Sequence, residues 1–202
     1  MKTKRFYEKL VLVGGDQMKI EKLSIEQVTA IYEEKLCKDF PKEEQKPLAF
    51  ILKAMEAGNY ECYGLMQEQE FLSYAFFIKQ GDTFLLDYFA TVSGKRNQGL
   101  GAVFLGLLRQ QLRDADCVIA EVEDPSFASS SDEKELQTRR YHFYLRNGFA
   151  DTGVRASAFG VPFILIEMLL GQRHSEERVR QLYRMHYRAV LPEEIYQKAV
   201  RV

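Results

Sequence analysis

The segment Arg96-Asn97-Gln98-Gly99-Leu100-Gly101 holds the side chains and glycines best suited to binding an anion. An arginine followed by two closely spaced glycines is an anion-binding arrangement. Backbone N–H groups at a helix start have no intrahelical partner and carry the positive end of the helix dipole. Glycines there let a phosphate approach those groups closely. This requires a helix to begin at the loop, and the flanking residues supply one. From Leu100, apolar residues fall at Leu100, Val103, Phe104, Leu107, Leu108 and Leu112, the spacing of one helix face. Before the loop, Leu85–Val92 is apolar and aromatic and ends in the β-branched Thr91 and Val92, which reads as a strand. The unit is strand, glycine turn, helix.

Two well-known phosphate loops do not fit. A P-loop requires G-x-x-x-x-G-K-[ST], but Gly94-Lys95 is followed by Arg96 and Phe89 stands where the first glycine belongs. A dinucleotide loop requires G-x-G-x-x-G, and Phe104 takes the third glycine's place. Its usual position after a domain's first strand also disagrees with this mid-chain site. A second motif lies downstream. Tyr144-Leu145-Arg146-Asn147-Gly148-Phe149 reads as a helix end, with Asn147 and Gly148 the residue types that close helices in the left-handed conformation.

Together these segments resemble motifs A and B of the GNAT superfamily, the GCN5-related N-acetyltransferases. Val92, Arg96, Gly99 and Gly101 match motif A without a gap, and Tyr144 through Phe149 match motif B, with the strand Cys117–Val122 between them. The resemblance covers residues 19–170 in outline, and only the two motifs are specific. It implies an α/β (α+β) fold with a mixed, mostly antiparallel sheet flanked by helices, and acetyl-CoA as cosubstrate with an amine acceptor. The backbone of Asn97, Gln98, Gly99, Leu100, Gly101 and Ala102 would cradle the pyrophosphate, with Arg96 adding charge. Ala90, Thr91 and Val92 would pair with the pantetheine arm, one N–H polarising the thioester. Tyr144 is the candidate general acid, because a phenol of pKa about 10 is matched to a departing thiolate; Tyr141, one turn earlier, is a substitute. For the base, Glu121 and Glu123 alternate along one strand face and Asp87 lies on the strand before the loop. Glu123 is the choice among them, although each also suits a salt bridge.

Composition narrows the function. The 202 residues make one domain, or one domain with extensions, and 46% hydrophobic content is enough for a core. A net charge of −1 disfavours a nucleic-acid binder working by bulk electrostatics. No apolar run reaches membrane-spanning length, and no secretory leader is evident, so a cytoplasmic protein is expected. Cys37, Cys62 and Cys117 are read as buried reduced thiols. His142, His174 and His186 suggest no ligand pair with a cysteine or carboxylate cluster, so no metal is expected.

Along the chain, residues 1–17 are either an N-terminal extension or lie upstream of a native start at Met18. Residues 18–172 form the acetyltransferase domain and 173–202 a helical extension. Helices are expected from Ser24 to about Phe40, over Pro47–Ala57, and from an Asp132-x-x-Glu135 capping box to Asn147. Strands are expected at Glu61–Met66, Phe71–Lys79, Phe84–Val92, Cys117–Val122, Ala150–Ala158 and Val161–Leu170. The tail from Ser175 reads as two helices interrupted near Leu191-Pro192, packing on the domain or on a second subunit in a homodimer. Two other functions compete with the transferase: a non-catalytic acyl-CoA-binding module, and a different nucleotide binder that mimics the glycine loop.

Overall fold

The strand leading into the glycine loop is the hinge of the architecture. In the computed structural model, which describes residues 10–13 and 16–202, the strands are β1 (Leu10–Val13), β2 (Asp16–Lys22), β3 (Tyr60–Gln67), β4 (Glu70–Gln80), β5 (Thr83–Thr91), β6 (Cys117–Glu123), β7 (Phe149–Ala158), β8 (Val161–Met168) and β9 (Val200–Arg201). They form one sheet in the order β1-β2-β3-β4-β5-β6-β8-β7-β9. Every neighbouring pair is antiparallel except β5–β6. That parallel pairing is short: Thr83–Leu86 faces Cys117–Ala120 and goes no further. At the same place the β4–β5 register slips, because Phe77 faces Leu86 while Phe76 faces Tyr88. Asp87 is therefore the extra residue of a β-bulge, a device that bends a strand and re-aims its side chains. Beyond it β5 and β6 diverge and enclose an open wedge.

The helices are α1 (Ile25–Ile31), α2 (Cys37–Asp39), α3 (Leu48–Glu56), α4 (Leu100–Gln111), α5 (Ser131–Arg146), α6 (Glu176–Val190) and α7 (Glu193–Ala199). A single π turn, Tyr32–Leu36, joins α1 to α2. The expected helix from Ser24 is thus present with a wider turn in its middle. Ser24 caps it through a reciprocal box with Gln27. One face of the sheet packs on α4 and α5, with Leu100, Phe104, Leu108 and Tyr144 among the buried residues. The other packs on α1, α3 and α6, with Val28, Ile51, Tyr183 and Tyr187 in its core. Alternation along the strands feeds both layers, as a sheet covered on two sides requires.

Several local expectations change. The cap of α5 is Ser130, whose hydroxyl accepts from Glu133 N–H, while Glu133 accepts from Ser129 N–H. The same S-x-x-E logic acts two residues earlier than Asp132-x-x-Glu135, because Ser130 has the extended backbone a cap needs. Gly148 is left-handed (φ +89°) but Asn147 is not; its side chain bonds Phe143 O instead. Cys37 is exposed, whereas Cys62 and Cys117 are buried. The tail helices pack on this chain's own sheet: α6 enters the core and β9 pairs with β7. Most of the proposed N-terminal extension, residues 1–9 and 14–15, lies outside the described residues; β1 pairs with β2 across Met18. Among the described residues, no helix is long and apolar enough to cross a membrane.

Candidate active site

The loop expected to bind an anion has the backbone for it. Asn97 (φ +63°) and Gly99 (φ +79°) are both left-handed. Gly99 is the N-cap of α4 and offers no side-chain cap. Its carbonyl accepts from Ala102 and Val103 N–H, at 3.0 and 3.2 Å. The Leu100 and Gly101 N–H groups remain, as at any uncapped helix start, free of intrahelical partners. A Cβ on Gly99 would meet nothing within 4 Å, so the space in front of it is open. A Cβ on Gly101 would lie 3.1 Å from Phe143 Cζ, so that glycine also permits close packing. Of the expected cradle, Ala102 N–H is already engaged within the helix turn.

Arg96 sits differently from expectation. Its guanidinium pairs with Asp39 at 2.5 Å and donates from Nε to Thr91 O at 3.1 Å. Asp39 also accepts from Tyr74 OH, so the arginine ties the glycine loop to the end of α2. Asp39 lies 57 residues away, and no local pattern points to it.

Along β5 the open edge is narrower than expected. Val92 N–H donates to Leu72 O. Alternation gives Ala90, which faces Tyr74, the same direction. The backbone groups of Phe89 and Thr91 therefore point the other way, into the wedge. The Phe89 and Thr91 N–H groups, rather than those of Ala90 and Val92, point there.

One cleft of about 700 Å³ joins these parts. It runs from the loop, past Phe89 and Thr91, to a floor built by Lys46, Asp87, Tyr88, Glu121 and Tyr187. The bulge places Asp87 and Tyr88 on the same face of β5. Lys46 is 5% exposed and pairs with Asp87, itself 1% exposed, at 2.5 Å. Tyr60 OH also donates to Asp87. The Lys46 backbone is clamped as well: its N–H donates to Tyr88 OH at 2.7 Å, and its carbonyl accepts from Tyr32 OH at 2.9 Å.

Glu121 accepts from Tyr183 OH at 2.5 Å and from Tyr187 OH at 2.9 Å. Burial raises its carboxyl above its ordinary value; Lys46 and the two phenols oppose that rise, and the Asp87 charge adds to it. Glu123, the base expected from sequence, also lines the cleft, and its carboxylate is held by Arg140. Tyr144 lines the cleft too, with its ring against Phe89, Phe143 and Phe149. Burial raises its phenol above the ordinary tyrosine value. Arg139 and Arg146 of α5 line the loop side of the cleft and form no ion pair among the described residues.

Elsewhere, three groups not expected to meet do so. His174 Nδ1 contacts Glu167, and Cys117 Sγ donates to the same carboxylate at 3.4 Å. His174 Nε2 also lies 3.6 Å from Asp116. The loop preceding α6 carries His174 back to the start of β6, a juxtaposition that separation in sequence conceals.

No family model and no curated protein matches the sequence, but many solved structures match the fold. A Bacteroides thetaiotaomicron protein assigned to the GNAT acetyltransferase family superposes with a TM-score of 0.66 at 19% identity, covering 85% of this chain and 97% of that one. The ribosomal-protein-S18-alanine N-acetyltransferase of Escherichia coli superposes with 0.55 at 17% identity, covering 79% and 97%. An aminoglycoside 6'-N-acetyltransferase complexed with coenzyme A gives 0.54 at 14% identity, covering 77% and 99%. The fold is that of the GNAT acetyltransferases.

Proposed function

We propose that this protein transfers an acetyl group from acetyl-CoA directly to a primary amine. The observation that carries the reading is the wedge between β5 and β6, which opens onto the uncapped start of α4. It combines a backbone anion site, an unpaired strand edge and a buried carboxylate in one cleft. That combination suits a long ligand with a pyrophosphate at one end and a thioester at the other. The open space at Gly99 admits the pyrophosphate, and Arg139 and Arg146 add positive charge nearby. Phe89 C=O and Thr91 N–H are offered to the pantetheine amides, as an added strand would use them, while Thr91 O is held by Arg96.

Glu121 accepts a proton from the incoming ammonium, directly or through water, and the neutral amine attacks the thioester carbonyl. Phe89 N–H stabilises the oxyanion that forms. The C–S bond breaks, Tyr144 protonates the departing thiolate, and the nitrogen passes its second proton through water to the phenolate, leaving the neutral amide. Glu121 is preferred to Glu123 because it lies on the floor with only phenols bonded to it, whereas Arg140 occupies Glu123.

Calorimetric titration of acetyl-CoA, with ATP and NAD as controls, tests the reading. Acetyl-CoA alone should bind, and the Gly99→Glu variant should not bind it. An amine screen by thiol release follows. Equal binding of ATP would refute the cosubstrate assignment, and acetyl-CoA binding without release for any amine would refute catalysis.

A further inference from the structure

The floor of the cleft limits which amine can bind. Of the carboxylates that line it, Asp87 is taken by Lys46 and Tyr60, Glu123 by Arg140, and Asp39 by Arg96 and Tyr74. Glu44 is engaged as well. Asp87, Glu123 and Asp39 each hold a cation, whereas Glu121 is bonded by the neutral phenols of Tyr183 and Tyr187. On the floor beside Lys46, Glu121 is therefore the anionic position offered to an acceptor. A second cation would also meet the Lys46 ammonium, which already lies 4.9 Å from the Tyr187 ring centroid and 5.5 Å from that of Tyr88.

The rest of the wall is aromatic. Phe40 packs edge-on to Tyr88 at 5.0 Å, and Phe163 lines the same side. Phe159 is the telling residue. It is the first of two residues turning β7 into β8, with φ +52°, followed by Gly160 at +84°. Two positive φ values in a two-residue hairpin are the pattern that favours Asn-Gly or Gly-Gly. A bulky side chain is disfavoured in that conformation, and strained residues of this kind cluster at functional sites. Nor does Phe159 serve the core, being 37% exposed. What it supplies is a ring on the cleft wall, 6.0 Å from Lys46 Nζ.

We infer that the acceptor is a primary amine with a single positive charge on an aromatic or apolar body, its ammonium at Glu121 and its body against Phe159, Phe40 and Phe163. The inference rests on the transferase reading above. The test is thiol release by the full chain with acetyl-CoA, comparing 2-phenylethylamine with spermidine and kanamycin. 2-Phenylethylamine should exceed both in kcat/KM by about tenfold or more, the discrimination that shape and charge in one pocket can give. Phe159→Asn suits the turn, so its Tm should not fall, while KM for 2-phenylethylamine should rise roughly five- to tenfold with loss of the ring contact. Its acetyl-CoA affinity should be unchanged. Preference for spermidine or kanamycin, an unchanged KM in Phe159→Asn, or acetyl-CoA binding without turnover of 2-phenylethylamine would each overturn the inference. Failure to bind acetyl-CoA at all would instead overturn the reading beneath it.

Discussion

Replacing Lys46 by methionine keeps an unbranched side chain, one atom shorter, and removes its charge. The pair it breaks is deeply buried, with Nζ 2.5 Å from Asp87 Oδ1 and side chains 5% and 1% exposed. At that 2.5 Å separation and an effective dielectric of about 20, unit charges attract by about 7 kcal/mol, much of it offset by the cost of removing both ions from water. The single substitution loses the attraction and keeps the desolvated Asp87, held then by Tyr60 alone. Its expected cost is about 3–5 kcal/mol. Asp87→Asn strands the ammonium among the Tyr88, Tyr187 and Phe159 rings and should cost a similar amount. The double variant has neither charge, and its asparagine can still accept from Tyr60. It should be destabilised by about 2–3 kcal/mol less than the sum of the singles. Urea unfolding of the four proteins at pH 7 measures this. Additivity within about 0.5 kcal/mol would show that the two groups do not interact as argued.

Other outcomes follow from the same geometry. Gly101→Val drives a branched side chain at Phe143 and Phe89 and should destabilise by about 1–3 kcal/mol in urea unfolding, whereas Gly101→Ala should cost less. With Glu121 as base, kcat/KM should rise with pH on an acid limb lying above the ordinary glutamate value, and Tyr187→Phe should move that limb higher, because the phenol's hydrogen bond favours the carboxylate. The sign for stability is the opposite: a raised folded-state pKa gives stability that is complete below the unfolded value near 4.5 and is lost as pH rises through the folded value, so Glu121→Gln should remove that loss in unfolding measured against pH. Tyr144→Phe should lower kcat with little change in KM for acetyl-CoA, and an unchanged kcat in steady-state assays would remove Tyr144 as the acid.

Strand and helix positions were readable because the signals are local. Cys117–Val122 is a short apolar run between polar stretches, and it differs from β6 by one residue. The glycine loop was readable for the same reason, since a left-handed Gly99 and an uncapped helix start are properties of a few consecutive residues. The floor of the cleft was not. Lys46 stands in a polar stretch between Gln45 and Pro47, where a lysine is normally solvated. It is buried because Tyr88, 42 residues away, and Tyr32, 14 residues away, clamp its backbone. Glu121 was among the candidates, but preferring it over Glu123 required knowing that α6 brings Tyr183 and Tyr187 to one carboxylate and α5 brings Arg140 to the other. Asp87 was placed on the right strand, yet alternation could not show that a bulge turns it to the same side as Tyr88. Phe159 looked like one residue of a short turn, and its significance lies in a backbone angle that the residue type disfavours.

The bulge at Asp87 accounts for both ends of the cleft. Without the extra residue, strict alternation would send Asp87 and Tyr88 to opposite faces. Lys46 would then lose either its carboxylate or the phenol that holds its backbone. The bulge also ends the parallel pairing with β6 at Leu86. A strand that continued in register would spend the Phe89 and Thr91 backbone groups on β6 and leave no edge beside the thioester. Closing the wedge would also bring β5 against Glu121, which takes its buried place beside Tyr183 and Tyr187 on the acceptor side. In the reaction proposed above, one inserted residue would thus free a strand edge for the donor and gather the ionisable floor for the acceptor. That reaction would place its two halves where β5 leaves β6.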